Sequence, residues 1–328
     1  MISPLTLQAR LLDPQHFVTL YGATPPRADS QPDAVARAAE KLAARARHLP
    51  LDGLVVYDVQ DETERTAEPR PFPFLPTMEP RTYARMLQDL TEMPAITYKS
   101  VGALTETSWP DWLSETRQDY GISYLTLVGA SSPNPPPDAL PVDRALQIAA
   151  AHAGSFTLGG VVIAERHSPA YDESRRLLHK AEQGCRFFIS QVVYHADATI
   201  RLLTSYAEDC RRLGVAPRRI MLTFSPCGRP RTIEFLKWLG VAIAPATEQA
   251  LLADPASFTR SIQICRDNLR AILDQVDVEA IPLGINIESV SIHKDEIEAS
   301  VDLVHTLYDV AQSYGLDRGR HECAAQRS

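Results

Sequence analysis

The chain has 328 residues, of which 45% are hydrophobic and 23% charged, enough apolar material for a large core without disulfide or metal staples. Its formal net charge of -8 argues against a general attraction to nucleic acid or to anionic lipid, so an anionic ligand needs a local basic pocket. No apolar run approaches the roughly 20 residues that cross a bilayer, and Met1 to Arg10 lacks the pattern of a secretory signal, so a cytoplasmic location is the default expectation.

Eight short runs rich in β-branched residues alternate with longer amphipathic stretches, the pattern of parallel strands joined by helices. In chain order they are 16–21, 53–57, 94–98, 122–128, 156–163, 187–193, 219–224 and 282–287. Eight is the number that closes a (β/α)8 TIM barrel, an α/β fold expected here as a single domain over 1–314, followed by a polar, mobile tail at 315–328. Helical periodicity is read over 32–48, with Ser30 as its cap and proline just inside, and over 172–183, ended by Gly184. Further helices are read over 198–213, 232–239, 257–276 and 293–314.

Two loops are unusual in length, Asp58 to Thr77 after the second run and Gly129 to Pro141 after the fourth. Both are proline-rich, and both follow strands on the face where barrels build their sites. Cys185, Cys210, Cys227, Cys265 and Cys323 are odd in number, with no metal-ligand spacing, and read as buried free thiols. No metal site is expected. The motifs for a Rossmann dinucleotide fold, a P-loop and a nucleophile elbow are absent from the sequence.

In a barrel the polar residues at strand ends carry the chemistry. The candidates are Tyr21, Tyr57 with Asp58, Tyr98 with Lys99, Glu165 with His167, Gln191, Ser225, and Asn286 with Glu288. Gln191 interrupts an apolar strand, where an unpaired amide is costly, and a carboxamide can both donate to and accept from the edge of a pterin. Equally, it can be an amide satisfied by backbone at the barrel rim. Glu165 and Glu288 are general-acid candidates if burial raises them, and solvated carboxylates otherwise.

Several segments together resemble one family, the methylenetetrahydrofolate reductases. They are Tyr21-Gly-Ala-Thr-Pro-Pro-Arg27, Tyr124-Leu-Thr-Leu-Val-Gly129, Glu165-Arg-His167, and Lys180-Ala-Glu-Gln-Gly184 leading into Ile189-Ser-Gln-Val-Val-Tyr194. The resemblance runs over roughly 17–307 and implies a barrel that reduces 5,10-methylenetetrahydrofolate to 5-methyltetrahydrofolate with NAD(P)H. It implies Gln191 on the pterin, with Tyr21, Tyr57, Tyr98 and Lys99 as further substrate-binding candidates. It also places His167, Glu173 and Lys180 where flavin-containing members contact FAD.

The departures are equally specific. Gly22 stands where the family carries its first-strand acid, and Val128, Ala130 and Ile163 stand where flavin-containing members carry cofactor contacts. The segments Asp61-Glu-Thr-Glu-Arg-Thr-Ala-Glu-Pro-Arg-Pro71, Met221-Leu-Thr-Phe-Ser225 and Pro282-Leu-Gly-Ile-Asn-Ile-Glu288 look like the divergent, flavin-independent reductases of actinobacteria, which keep an acid on the first strand, so Gly22 is an exception among them too. The proton donor then falls to Glu288, Glu165, or an acid of the Asp58 to Glu64 loop such as Asp58 or Glu62. The alternatives are a folate barrel that transfers the one-carbon unit to another acceptor, and a non-catalytic folate binder. The expected partners are a folate and a nicotinamide, with no nucleic acid and no membrane, and self-association into a homo-oligomer is left open.

Overall fold

The β-branched runs become the parallel strands β1 (Val18–Ala23), β2 (Gly53–Val56), β3 (Ala95–Ser100), β4 (Tyr124–Val128), β5 (Thr157–Val162), β6 (Cys185–Val192), β7 (Arg219–Phe224) and β8 (Leu283–Glu288). Their order is that of a closed barrel, β1 to β8 in sequence, in a computed structural model that describes residues 6–316 other than 131, 133 and 255. The chain is therefore a (β/α)8 barrel. β1 and β7 are buried along their whole length, as strands enclosed on both faces must be.

The helices are α1 (Leu7–Leu12), α2 (Pro32–Ala46), α3 (Pro80–Thr91), α4 (Trp109–Gln118), α5 (Val142–Ala151), α6 (Glu173–Glu182), α7 (Ala196–Leu213), α8 (Pro230–Trp238), α9 (Pro245–Ala253), α10 (Ser257–Gln275) and α11 (Lys294–Ser313). The periodicity reading covers α2, α6, α7, α8, α10 and α11. It omits α1, α3, α4, α5 and α9; of these α4 buries only Trp109, Leu113 and Thr116, whereas α3 buries Pro80, Tyr83, Ala84 and Leu87 and is missed despite its apolar face. Ser30 is not the cap of α2. That place is taken by Gln31, with Pro32 opening the helix and no side-chain hydrogen bond at the cap.

By contact density the chain divides into two compact units, one formed by Met1–Leu20, Val162–His179 and Phe187–Ser328, the other by Tyr21–Val161 and Lys180–Arg186. In the first, α1 is tied down by the buried Arg219 at the start of β7, whose guanidinium donates to the carbonyls of Leu11, Asp13 and Leu283. A buried guanidinium is tolerable only when its donors are spent in this way. After β7, the Tyr194 hydroxyl lies 2.7 Å from the Ser225 carbonyl, 2.9 Å from Ser261 Oγ and 3.0 Å from Cys227 Sγ. The four described cysteines are free and buried, and burial raises the thiols of Cys185, Cys227 and Cys265. They pack as small apolar groups, while Cys323 and residues 317–328 of the expected tail lie outside the described residues.

In the second unit the backbone register aligns Thr97 with Leu125 and Lys99 with Leu127 across β3 and β4. Arg81 of α3 is buried between the rings of Trp112 and Tyr120, at 4.4 and 4.6 Å from their centroids, and is paired with Glu79 and Glu115. Glu79 also caps α3 by accepting from the backbone N–H groups of Arg81 and Thr82.

Candidate active site

Polar groups gather at the carboxyl ends of the strands, and each unit carries its own set. In the unit that holds β2, β3 and β4, Tyr57 and Tyr98 meet edge to face with ring centroids 4.9 Å apart. Tyr21 is buried within β1. Asp58 accepts from the Ser100 backbone N–H at 2.8 Å through Oδ2 and from Gln60 Nε2 at 2.7 Å through Oδ1, with Lys99 Nζ at 3.8 Å. Both carboxylate oxygens are thus engaged, Oδ2 joining the ends of β2 and β3 and Oδ1 holding Gln60 within the loop after β2. Lys99 lies 5.4 Å from the Trp112 ring centroid, so its ammonium is drawn toward the helical layer.

The two long loops belong to this unit and meet, because Ser132 Oγ donates to Glu64 Oε2 at 2.8 Å. The first loop contains one 3₁₀ turn, Thr63–Arg65. It returns to the segment after β1 through Ala28 N–H to Pro76 carbonyl and Met78 N–H to Pro26 carbonyl, both 2.8 Å. Glu62 is half-buried and lies in the electrostatic range of Arg70, whose guanidinium burial pushes down while Glu62 and Asp61 oppose that shift.

In the unit that holds β6, β7 and β8, a bulge sets the key amide. Between Ile189 and Val192 the register of β6 against β7 shifts, and Ser190 Oγ takes the backbone N–H of Thr223 at 2.9 Å in place of a carbonyl. Such bulges re-aim the neighbouring side chain. Gln191 then donates from Nε2 to the Leu239 carbonyl at 2.9 Å, which orients the amide and leaves its Oε1 without a partner among the described residues. The amide is partly satisfied by backbone and keeps an acceptor to offer.

Glu165 occupies the 3₁₀ turn Ala164–Arg166 just after β5. Burial raises its carboxyl, against smaller lowering effects of its own backbone N–H, that of Ala242, His195 and Arg166. Leu239 and Ala242 both belong to the connection between α8 and α9, so a single returning segment touches Gln191 and Glu165. That segment, and His195, were not among the residues singled out from sequence. The only sequence signal for the return is the bracket of Gly240 and Pro245, which marks a turn and not its destination. Glu288 ends β8 and is half-buried. Asn286 is buried, its Nδ2 3.3 Å from Thr223 Oγ1.

The three residues assigned by resemblance to a flavin are placed differently from one another. Glu173 is buried at the start of α6, with Oε1 accepting from the Ile163 backbone N–H at 3.3 Å and Oε2 3.4 Å from Arg176. Lys180 Nζ donates to the Val161 carbonyl at 2.6 Å. Only His167 borders an open cleft, with Nε2 at 3.1 Å from Ser205 Oγ. Glu173 and Lys180 thus each contact the protein, although Glu173 Oε2 is left buried without a hydrogen bond. Among the described residues no three His, Cys, Asp or Glu side chains form a group that could hold a metal ion, and no helix is long and apolar enough to cross a membrane.

No family model matches the chain, and no curated protein does. Among solved structures it is similar to an uncharacterised protein from Clostridium thermocellum that binds two copies of 5-methyl-5,6,7,8-tetrahydrofolic acid. The identity is 30%, the TM-score 0.78, and the match covers 93% of this chain and 99% of that one. Phosphonopyruvate hydrolase, bound to oxalate and magnesium, matches with 14% identity and a TM-score of 0.46 over 95% of this chain and 88% of its own. Dihydropteroate synthase from Xanthomonas albilineans matches with 13% identity and a TM-score of 0.46 over 93% and 97%. Neither of the last two is close enough to bear on the site. At 30% identity over nearly the whole of the bacterial protein, the chain belongs to the family of the Clostridium thermocellum protein.

Proposed function

We propose that this chain binds reduced folate at the carboxyl ends of its barrel strands and acts on the one-carbon unit that the folate carries. The observation that carries this reading is the family relationship to a protein holding two 5-methyltetrahydrofolate molecules. Gln191 supports it locally, because an amide fixed by the Leu239 carbonyl presents a free acceptor suited to the N–H edge of a pterin.

Within that reading, the reaction is reduction of 5,10-methylenetetrahydrofolate to 5-methyltetrahydrofolate by NAD(P)H. A proton opens the bridged ring to an iminium at N5, and the nicotinamide then delivers hydride to the exocyclic carbon, leaving a methyl group and NAD(P)+. Gly22 has no side-chain proton to give, and Asp58 is engaged through both oxygens. Glu165 is the donor in this scheme: burial favours its protonated form, and it shares the Leu239 to Ala242 segment with Gln191. The engaged Glu173 and Lys180 support hydride transfer without a flavin.

Gly22 also supports a second reading, in which the methyl or methylene group passes to another acceptor. An anaerobic assay with NADH or NADPH and methylenetetrahydrofolate, preceded by an absorbance spectrum, separates the two. A colourless protein that forms 5-methyltetrahydrofolate in step with nicotinamide oxidation is the expected result. Saturable folate binding with no turnover would replace reduction with transfer or with binding alone, and a yellow protein would restore the flavin.

A further inference from the structure

A cleft of about 540 Å³ opens between the segment after β5 and the first half of α7, within one unit of the chain. Its volume is in the range of ligand pockets. It is lined by His167, Ser168, Ile200, Arg201, Thr204 and Ser205, with Pro169 and Asp172 at its edge. Gln191 does not line it, and Glu165 stands two residues before His167 in the chain.

One feature of the lining calls for a ligand. Arg201 makes no ion pair or hydrogen bond with any described residue, although Arg176 and Arg212 on α6 and α7 are paired with Glu173 and Asp209. The His167 ring has Nε2 engaged with Ser205 Oγ, while Nδ1 is buried without a hydrogen-bond partner and lies 3.9 Å from Asp172, beyond bonding distance. When the Ser205 hydroxyl donates to Nε2, Nδ1 carries the proton and has no acceptor in the protein. Asp172, the carboxylate of the lining, is itself paired with Arg175 at 3.2 Å. An unpaired guanidinium and the hydroxyls of Ser168 and Thr204, beside apolar Ile200 and Pro169, form a donor set for carboxylates on a partly apolar stem.

We infer that this cleft takes the glutamyl carboxylates of a second reduced-folate molecule, with Arg201 as their charged partner and the hydroxyls of Ser168 and Thr204 as further donors. The inference rests on the folate-binding reading and adds to it a place for a second copy. It makes Arg201 a binding residue with no part in the chemistry at Glu165.

Calorimetric titration of the full chain tests this with two probes, 5-methyltetrahydrofolate and the corresponding 5-methyltetrahydropteroate, which lacks the glutamate. The chain should bind two equivalents of the first probe and one of the second. Arg201→Glu should keep one site and weaken the other about tenfold or more, since a charge-assisted bidentate contact becomes a repulsion. Because Arg201 is exposed, the ligand-free melting temperature should not move. Two equivalents of either probe retained at full affinity in Arg201→Glu would overturn the inference, as would a single equivalent of 5-methyltetrahydrofolate on the unaltered chain. No binding of either probe to the unaltered chain would overturn the folate reading itself, a result distinct from the loss of one site.

Discussion

Glu165 and Gln191 differ in what environment does to them. The Glu165 carboxyl is raised by burial above its ordinary value of 4.5, so the native state holds a proton that the unfolded chain has already released. Its contribution to stability is complete below the unfolded value and is lost as pH rises through the raised native value. Glu165→Gln stays neutral throughout and escapes that loss. Urea unfolding between about pH 4 and about pH 7 should therefore show the variant gaining on the parent as pH rises; a gap independent of pH would mean that the burial is not felt.

Gln191 is a matter of hydrogen bonding, with no charge at stake. Replacing it by alanine removes the acceptor that the proposed pterin would use and frees the Leu239 carbonyl. Folate affinity should fall about tenfold, the value of one well-placed hydrogen bond, with circular dichroism unchanged. Unaltered affinity in Gln191→Ala would remove this residue from the pterin site. Sequence marked both residues as polar interruptions at strand ends. It could not show that a bulge at Ser190 aims the amide, because a bulge arises from pairing with β7, a partner about 30 residues away.

At the level of elements, the strands were legible because burial on both faces demands continuous apolar runs, and all eight runs became strands whose ends moved by at most two residues. The missed helices differ: α4 buries only two apolar side chains, Trp109 and Leu113, whereas α3 and α5 carry helical apolar faces that the periodicity reading omits. Glycine has a specific use in β8. A Cβ at Gly284 would lie 2.6 Å from both Met221 Sδ and the Val18 carbonyl, so β7 and β1 approach β8 more closely than a side chain allows. Gly284→Val should cost about 1–3 kcal/mol or more by overpacking, read as a lower urea midpoint. Gly284→Ala should lie between the variant and the parent; equal stability of all three would mean that the strands give way.

For the whole molecule, the alternation of strand and helix patterns, the acidic charge and the scattered cysteines determined a large (β/α)8 barrel with buried thiols, because these are properties of composition and period. The family relationship to a protein that binds 5-methyltetrahydrofolate then motivates the folate proposal, which fold alone cannot do, since barrels host many reactions. Tertiary structure decided which candidate residues are spent and which are available. It engaged Asp58 with the end of β3, buried Glu173 against Ile163, returned the connection after α8 to Glu165 and Gln191, and left Arg201 unpaired in the lining of a cleft. The physical reason is that hydrogen-bond saturation and burial depend on partners far apart in sequence, whereas residue type and period are local.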